Sequence, residues 1–334
     1  MSILLVSLPV LIVIFTANYV TARGNDGQRL AFNLLLFLAN LLLLAAGIAL
    51  WFLPLDTAGL PDLGLQLLDS GLASATLAGM GLWGMLASLK PVRRSLARIL
   101  PALDPESAVH MLALATVGYL IGNATLSLAP GALDALAEAG VEASLVDVLA
   151  QQFVFVLAAF AGAGLFVRRD SAALNERLGL VRPTAGQLWT GVRWMVFFVF
   201  LQGCIGMTWM LFNPTQVEQL SGINEALLGD FDTVWEWFLL AAAAGLGEEL
   251  LFRGALQPIF GIIPTSLIFA VSHVQYGLSP ATLTIFLLSV VLGIIRKRSN
   301  TTVAILVHGG YNFILGLLSL LAIYLEPFIR QATP

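Results

Sequence analysis

Two adjacent carboxylates and an arginine, Glu248, Glu249 and Arg253, lie in a run otherwise made of Ala, Leu, Gly, Trp and Phe. At a bilayer centre each such charge costs about 2.5–3.5 kcal/mol, so three in one apolar stretch ask for a use. Two later apolar runs carry histidines. Phe269 and His273 are four apart in one, and His308 and Asn312 are four apart in another; residues at that spacing share a helix face. A carboxylate, two imidazoles and a carboxamide suit general-base hydrolysis. The Glu activates water, a His orients it or shuttles its proton, and His with Asn donates to the developing oxyanion. Two His and one Glu are also a catalytic zinc set. Against zinc, there is no His-Glu-x-x-His helix, and the two histidines stand on different apolar runs. Gly-x-Ser-x-Gly is absent, and Ser272, next to His273, faces elsewhere on a helix.

The two glutamates separate by geometry. Glu249 precedes Arg253 by four residues, the favourable order for an intrahelical ion pair. The expectation is a self-compensating pair that snorkels toward a membrane edge. Glu248 is turned about 100° from Glu249 and is expected to enter a polar cavity with His273. Counted along helices, Glu248, His273 and His308 lie about 12–17 Å from the nearest cytoplasmic edge, at one common level. Ala241, Ala244, Gly245 and Gly247 before Glu248, and Gly309, Gly310 and Gly316 around His308, would let helix backbones approach closely.

The elements that must position these groups are membrane helices. Of 334 residues, 58% are hydrophobic and 11% charged, where soluble domains carry about 25% charged residues. The fold class is all-α, a polytopic helical bundle. Apolar runs near 2–20, 31–53, 70–89, 108–129, 147–167, 187–212, 234–256, 262–279, 281–295 and 301–325 give about ten transmembrane helices. A turn with Gly277 and Pro280 separates the eighth and ninth. Loops with Arg23 and Arg29, with Lys90, Arg93, Arg94 and Arg98, with Arg168, Arg169, Arg177 and Arg182, and with Arg296, Lys297 and Arg298 alternate with others that hold acids and no base. The acidic loops carry Asp56, Asp62 and Asp69, then Asp134, Glu138 and Glu142, then Glu218, Glu225, Asp230 and Asp232. The positive-inside rule then puts the basic loops in the cytoplasm and both termini outside; only Arg330 departs.

No basic residue precedes the first apolar run, which reads as a retained span rather than a secretory signal. No basic cluster beyond the short loops suggests nucleic-acid binding. Cys204 is the single cysteine, which excludes an intrachain disulfide and a cysteine metal cluster. His110 reads as an ordinary interfacial residue, and Trp189, Trp194, Trp235 and Trp237 as an aromatic belt. Residues 170–186 suit a short interfacial helix or a loop, and 213–233 an acidic outer loop folded over the bundle.

Taken in order, Glu-Glu-x-x-x-Arg (248–253), Phe-x-x-x-His (269–273) and His-x-x-x-Asn (308–312) resemble the CPBP family. That family comprises the eukaryotic CAAX prenyl endopeptidase and bacterial homologues linked to bacteriocin processing and self-immunity. The resemblance spans roughly residues 190–325 and departs at none of the seven positions. It implies an intramembrane glutamate-type endopeptidase with no catalytic metal and no other cofactor. By position, it implies that Glu248 activates water with His273 and that His308 and Asn312 form the oxyanion hole. Glu249 and Arg253 complete the first motif, with Phe269 in support. It further implies a peptidase core over residues 186–334, which leaves 1–185 as an accessory bundle of about five spans. The composition and short loops suit a bacterial cytoplasmic membrane, and with it a peptide or membrane-protein substrate rather than a prenylated one. Two other classes fit the same buried charges: a non-catalytic membrane scaffold or immunity protein, and a proton-coupled transporter.

Overall fold

The computed structural model describes residues 2–52, 70–128, 144–229, 231–277 and 279–332. The acids at 56, 62, 69, 134, 138, 142 and 230 that argued for orientation lie outside the described residues. The helices are α1 (Ser2–Arg23), α2 (Asp26–Phe52), α3 (Ser70–Ser88), α4 (Lys90–Leu96), α5 (Ala108–Ser127), α6 (Leu145–Ala163), α7 (Ser171–Leu178), α8 (Ala185–Phe212), α9 (Pro214–Leu228) and α10 (Val234–Glu249). A π-helix (Leu250–Leu256), α11 (Gln257–Phe260), α12 (Ile262–Val271), a 3-10 turn (Val274–Tyr276), α13 (Pro280–Arg298) and α14 (Thr301–Ala332) complete the chain. Among the described residues there is no β-sheet.

Seven of these helices are long and apolar enough to cross a membrane, or eight if α3 and α4, bent by 87°, count as one broken span. Their outer faces stay apolar, with Val6, Phe200 and Leu211 well exposed. That is the expected surface of a helix bundle whose solvent is lipid.

The expected ten spans differ from this at two places. The seventh run, 234–256, is helical throughout and its helix continues to Phe260, passing from α to π and back to α. It starts at a capping box, in which the Thr233 hydroxyl accepts from Glu236 N and the Glu236 carboxylate accepts from Thr233 N. It stops at Gly261, whose φ of +82° suits glycine. The eighth run does not reach residue 279. Its helix ends at Val271, only 10 residues or about 15 Å. The cause is local. Ser272 Oγ and His273 Nδ1 both bond the Phe269 carbonyl, at 2.7 and 2.8 Å, so side chains take the acceptor that would have continued the helix.

The connectors settle two open readings. Residues 171–178 form a helix, capped by Asp170 and ended by Gly179 in a left-handed conformation. Leu174 and Leu178 are buried beneath it. The segment after α8 is also largely helical and turns back on the bundle, burying Leu220, Ile223 and Phe231. Trp237 is not a belt residue. It is buried, its indole N–H donates to the Phe231 carbonyl at 2.9 Å, and its ring lies against Gly316. His110 Nδ1 accepts from Asp104 N at 2.9 Å and secures the turn before α5.

Buried apolar side chains tie both halves of the chain to the middle of the seventh run. Phe252, Ile259 and Phe260 pack with Ile268 and Phe269 of α12 and with Leu114 and Ala115 of α5. On the other side, Leu250 and Ala255 pack with Ala159 and Ala163 of α6 and with Leu174 and Leu178 of α7.

Candidate active site

The site forms where α10 meets α14 and α6. Glycine makes both approaches possible. A Cβ on Gly245 would lie 2.8 Å from Gly309 N and 2.9 Å from Ile305 O, so α10 and α14 touch backbone to backbone. A Cβ on Gly247 would lie 2.8 Å from the Gln152 carbonyl of α6. At these distances short side chains on different helices can meet.

Glu249 is fully buried and sits between two cations or donors. Arg253 Nε lies 3.2 Å from its Oε2. His308 Nδ1 lies 2.9 Å from its Oε1; a carboxylate only accepts, so Nδ1 carries the hydrogen. Arg253, 1% exposed, goes on to donate from Nη2 to Ser289 Oγ and the Ser289 carbonyl at 3.1 and 3.3 Å. One turn later Gln257 Nε2 donates to the Gly293 carbonyl at 3.0 Å. Arg253 and Gln257, one turn apart, thus dock onto two residues of α13 at matching spacing. The expected snorkelling pair is instead wholly interior, because α13 offers Ser289 to the guanidinium where lipid or water would have been.

Phe269 is the hub of the aromatic side. Its ring lies 4.7 Å from Arg253 Cζ, 4.9 Å from the Phe252 ring, 4.7 Å from His273 and 6.0 Å from His308. His273 therefore shares one phenyl ring with His308 and also stacks on Tyr276 at 6.4 Å. The carbonyl bond at Nδ1 leaves Nε2 without a partner among the described residues.

Glu248 is half-buried, with its side chain 13% exposed. Its Oε1 accepts from Gln152 Nε2 at 3.1 Å. Its Oε2 has no hydrogen-bond partner among the described residues and lies 4.0 Å from His308 Nε2. The histidine nearest Glu248 is thus His308. His273 forms no hydrogen bond or ion pair with Glu248 and joins the cluster through Phe269. Asn312 is one turn beyond His308 on α14, half-buried, and its side chain bonds no other described residue. Among the described residues, no three His, Cys, Asp or Glu side chains converge as metal ligands do.

Two residues absent from the spacing argument belong here. Gln152 touches Glu248 from a helix far earlier in the chain. Its sequence signal is a polar pair, Gln151-Gln152, inside an apolar span. Arg177 of α7 donates to the Gly254 carbonyl at 2.7 Å, which serves the π-helix where its own ladder is irregular. Burial, then the neighbouring Arg169, Arg296 and Arg168, push this guanidinium down to about 10.

This architecture is a helical membrane bundle with a carboxylate–imidazole cluster enclosed between helices. Residues 230–314 match the family model described as Type II CAAX prenyl endopeptidase Rce1-like. The matched segment contains all seven motif residues and supports the placement in the CPBP, or CAAX protease, family. No curated protein matches the chain, and no solved structure does.

Proposed function

We propose that the protein is an intramembrane endopeptidase that hydrolyses a peptide bond near the cytoplasmic membrane face. The observation that carries this reading is the Glu248 carboxylate. One oxygen is anchored to Gln152, and the other, beside His308 Nε2, has no hydrogen-bond partner among the described residues. In this scheme Glu248 Oε2 takes a proton from water, and the hydroxide adds to the carbonyl carbon of the substrate. His308, when its Nε2 also bears a proton, donates with Asn312 to the oxyanion. The C–N bond then breaks, and the proton held by Glu248 passes to the leaving amine. His273, with Nε2 free, helps to orient the water. Glu249 and Arg253 hold the His308 ring rather than react. No metal is required, and the substrate is a peptide or membrane protein. The segment 186–334 carries the reacting groups, and the helices before it support them and guide substrate entry.

The test compares N-terminal peptides in membranes holding the wild-type or Glu248→Gln protein. Removal of a general base should slow processing by about 10²–10⁴-fold with protein level and folding unchanged. Processing at the wild-type rate would sink the protease mechanism and favour a non-catalytic scaffold.

A further inference from the structure

We infer that Gln152, on α6 and outside the matched segment, is a positioning residue that fixes the Glu248 carboxylate for proton abstraction; this rests on the reading of Glu248 as the general base. Gln152 is 7% exposed, within a helix long and apolar enough to cross the membrane. A carboxamide there is costly unless its hydrogen bonds are made. Only one of its two polar atoms is bonded among the described residues. Nε2 donates to Glu248 Oε1 at 3.1 Å, while Oε1 is buried with no partner among the described residues. A residue kept only for packing would be more stable as Leu or Met at this place, since a half-satisfied buried amide is worse than an apolar side chain.

The chemistry explains what the amide adds. A carboxylate has two equivalent oxygens and turns readily about its last side-chain bond. The bond from Gln152 removes that equivalence. Oε1 becomes the anchored oxygen, and Oε2, 4.0 Å from His308 Nε2, becomes the one that meets water. Gly247 is what lets Gln152 come this near, because a Cβ there would lie 3.1 Å from Gln152 Cα and closer still to its carbonyl and amide oxygens.

The experiment uses the full chain and a fluorogenic peptide spanning a site cut in membranes that hold the wild-type protein. Gln152→Met keeps the volume without a donor, and Gln152→Leu removes the donor in a second apolar shape. Both should lower kcat by about ten- to hundredfold, the loss expected for a hydrogen bond to a charged group, with KM within about twofold of wild type. In a Glu248→Gln background, Gln152→Met should have no further effect, because coupled residues are not additive. Wild-type kcat in Gln152→Met would overturn the positioning role while leaving Glu248 as the base. Should Gln152→Met fold poorly, Gln152→Leu decides by the same kcat criterion. Full activity in Glu248→Gln would instead remove the reading on which the role depends.

Discussion

At the residue scale, the molecule is arranged around a buried anion with two attachments. Glu249 holds Arg253 on one oxygen and His308 on the other, and Arg253 extends to Ser289 and the Phe269 ring. Removing one partner of a buried pair leaves the other uncompensated, at a cost of about 3–5 kcal/mol. Arg253→Met should therefore lower the thermal unfolding midpoint in detergent far more than Ser289→Ala. The latter loses one side-chain acceptor, worth about 1.5–3 kcal/mol at most. Arg253→Lys should not restore stability, because a point charge cannot pair Glu249, bond Ser289 and cover a phenyl face together. All of these residues except Ser289 were legible from spacing, since i,i+4 pairs announce themselves on a helix. Gln152 was not, because a single polar residue in a distant span has no fixed offset from its partner. The exchange of neighbours, in which His308 and not His273 lies beside Glu248, was also invisible. It depends on how α12 ends, and a sequence pattern does not rank the competition between side chains for one carbonyl.

At the element scale, the contact of α10 with α14 sets the Glu249–His308 distance. Gly245→Val should hold the backbones apart, costing about 1–3 kcal/mol as overpacking does and lowering peptidase activity more than the stability loss explains. Thermal unfolding and turnover on the same preparation would separate the two. The α7 connector makes a second prediction. Arg177→Met removes the donor to the Gly254 carbonyl, and an orphaned buried acceptor costs about 1–3 kcal/mol, read as a lower unfolding midpoint. Hydrophobic runs placed most helices well, because lipid-facing helices are apolar all round. The same feature hid the helix end at Val271 and the π segment, which hydropathy does not resolve.

At the scale of the whole molecule, the alternating basic loops make an orientation testable. In a Cys204→Ser background, cysteine at Ser299 should resist a membrane-impermeant thiol reagent in intact cells, and cysteine at Glu225 should react. Reaction at Ser299 would invert the topology. Peptidase activity should also persist after treatment with a zinc chelator; activity lost to the chelator and restored by zinc would revive the metal reading. The π-helix of Leu250–Leu256 has its own consequence here. Its i→i+5 bonding holds more residues per turn than an α-helix. It works as a phase shifter between Glu248–Glu249, which face α6 and α14, and Arg253–Gln257, which face α13. Each α residue turns by about 100° and each π residue by less, so the same seven residues wound as plain α-helix would over-rotate everything beyond them and carry Arg253 and Gln257 off α13.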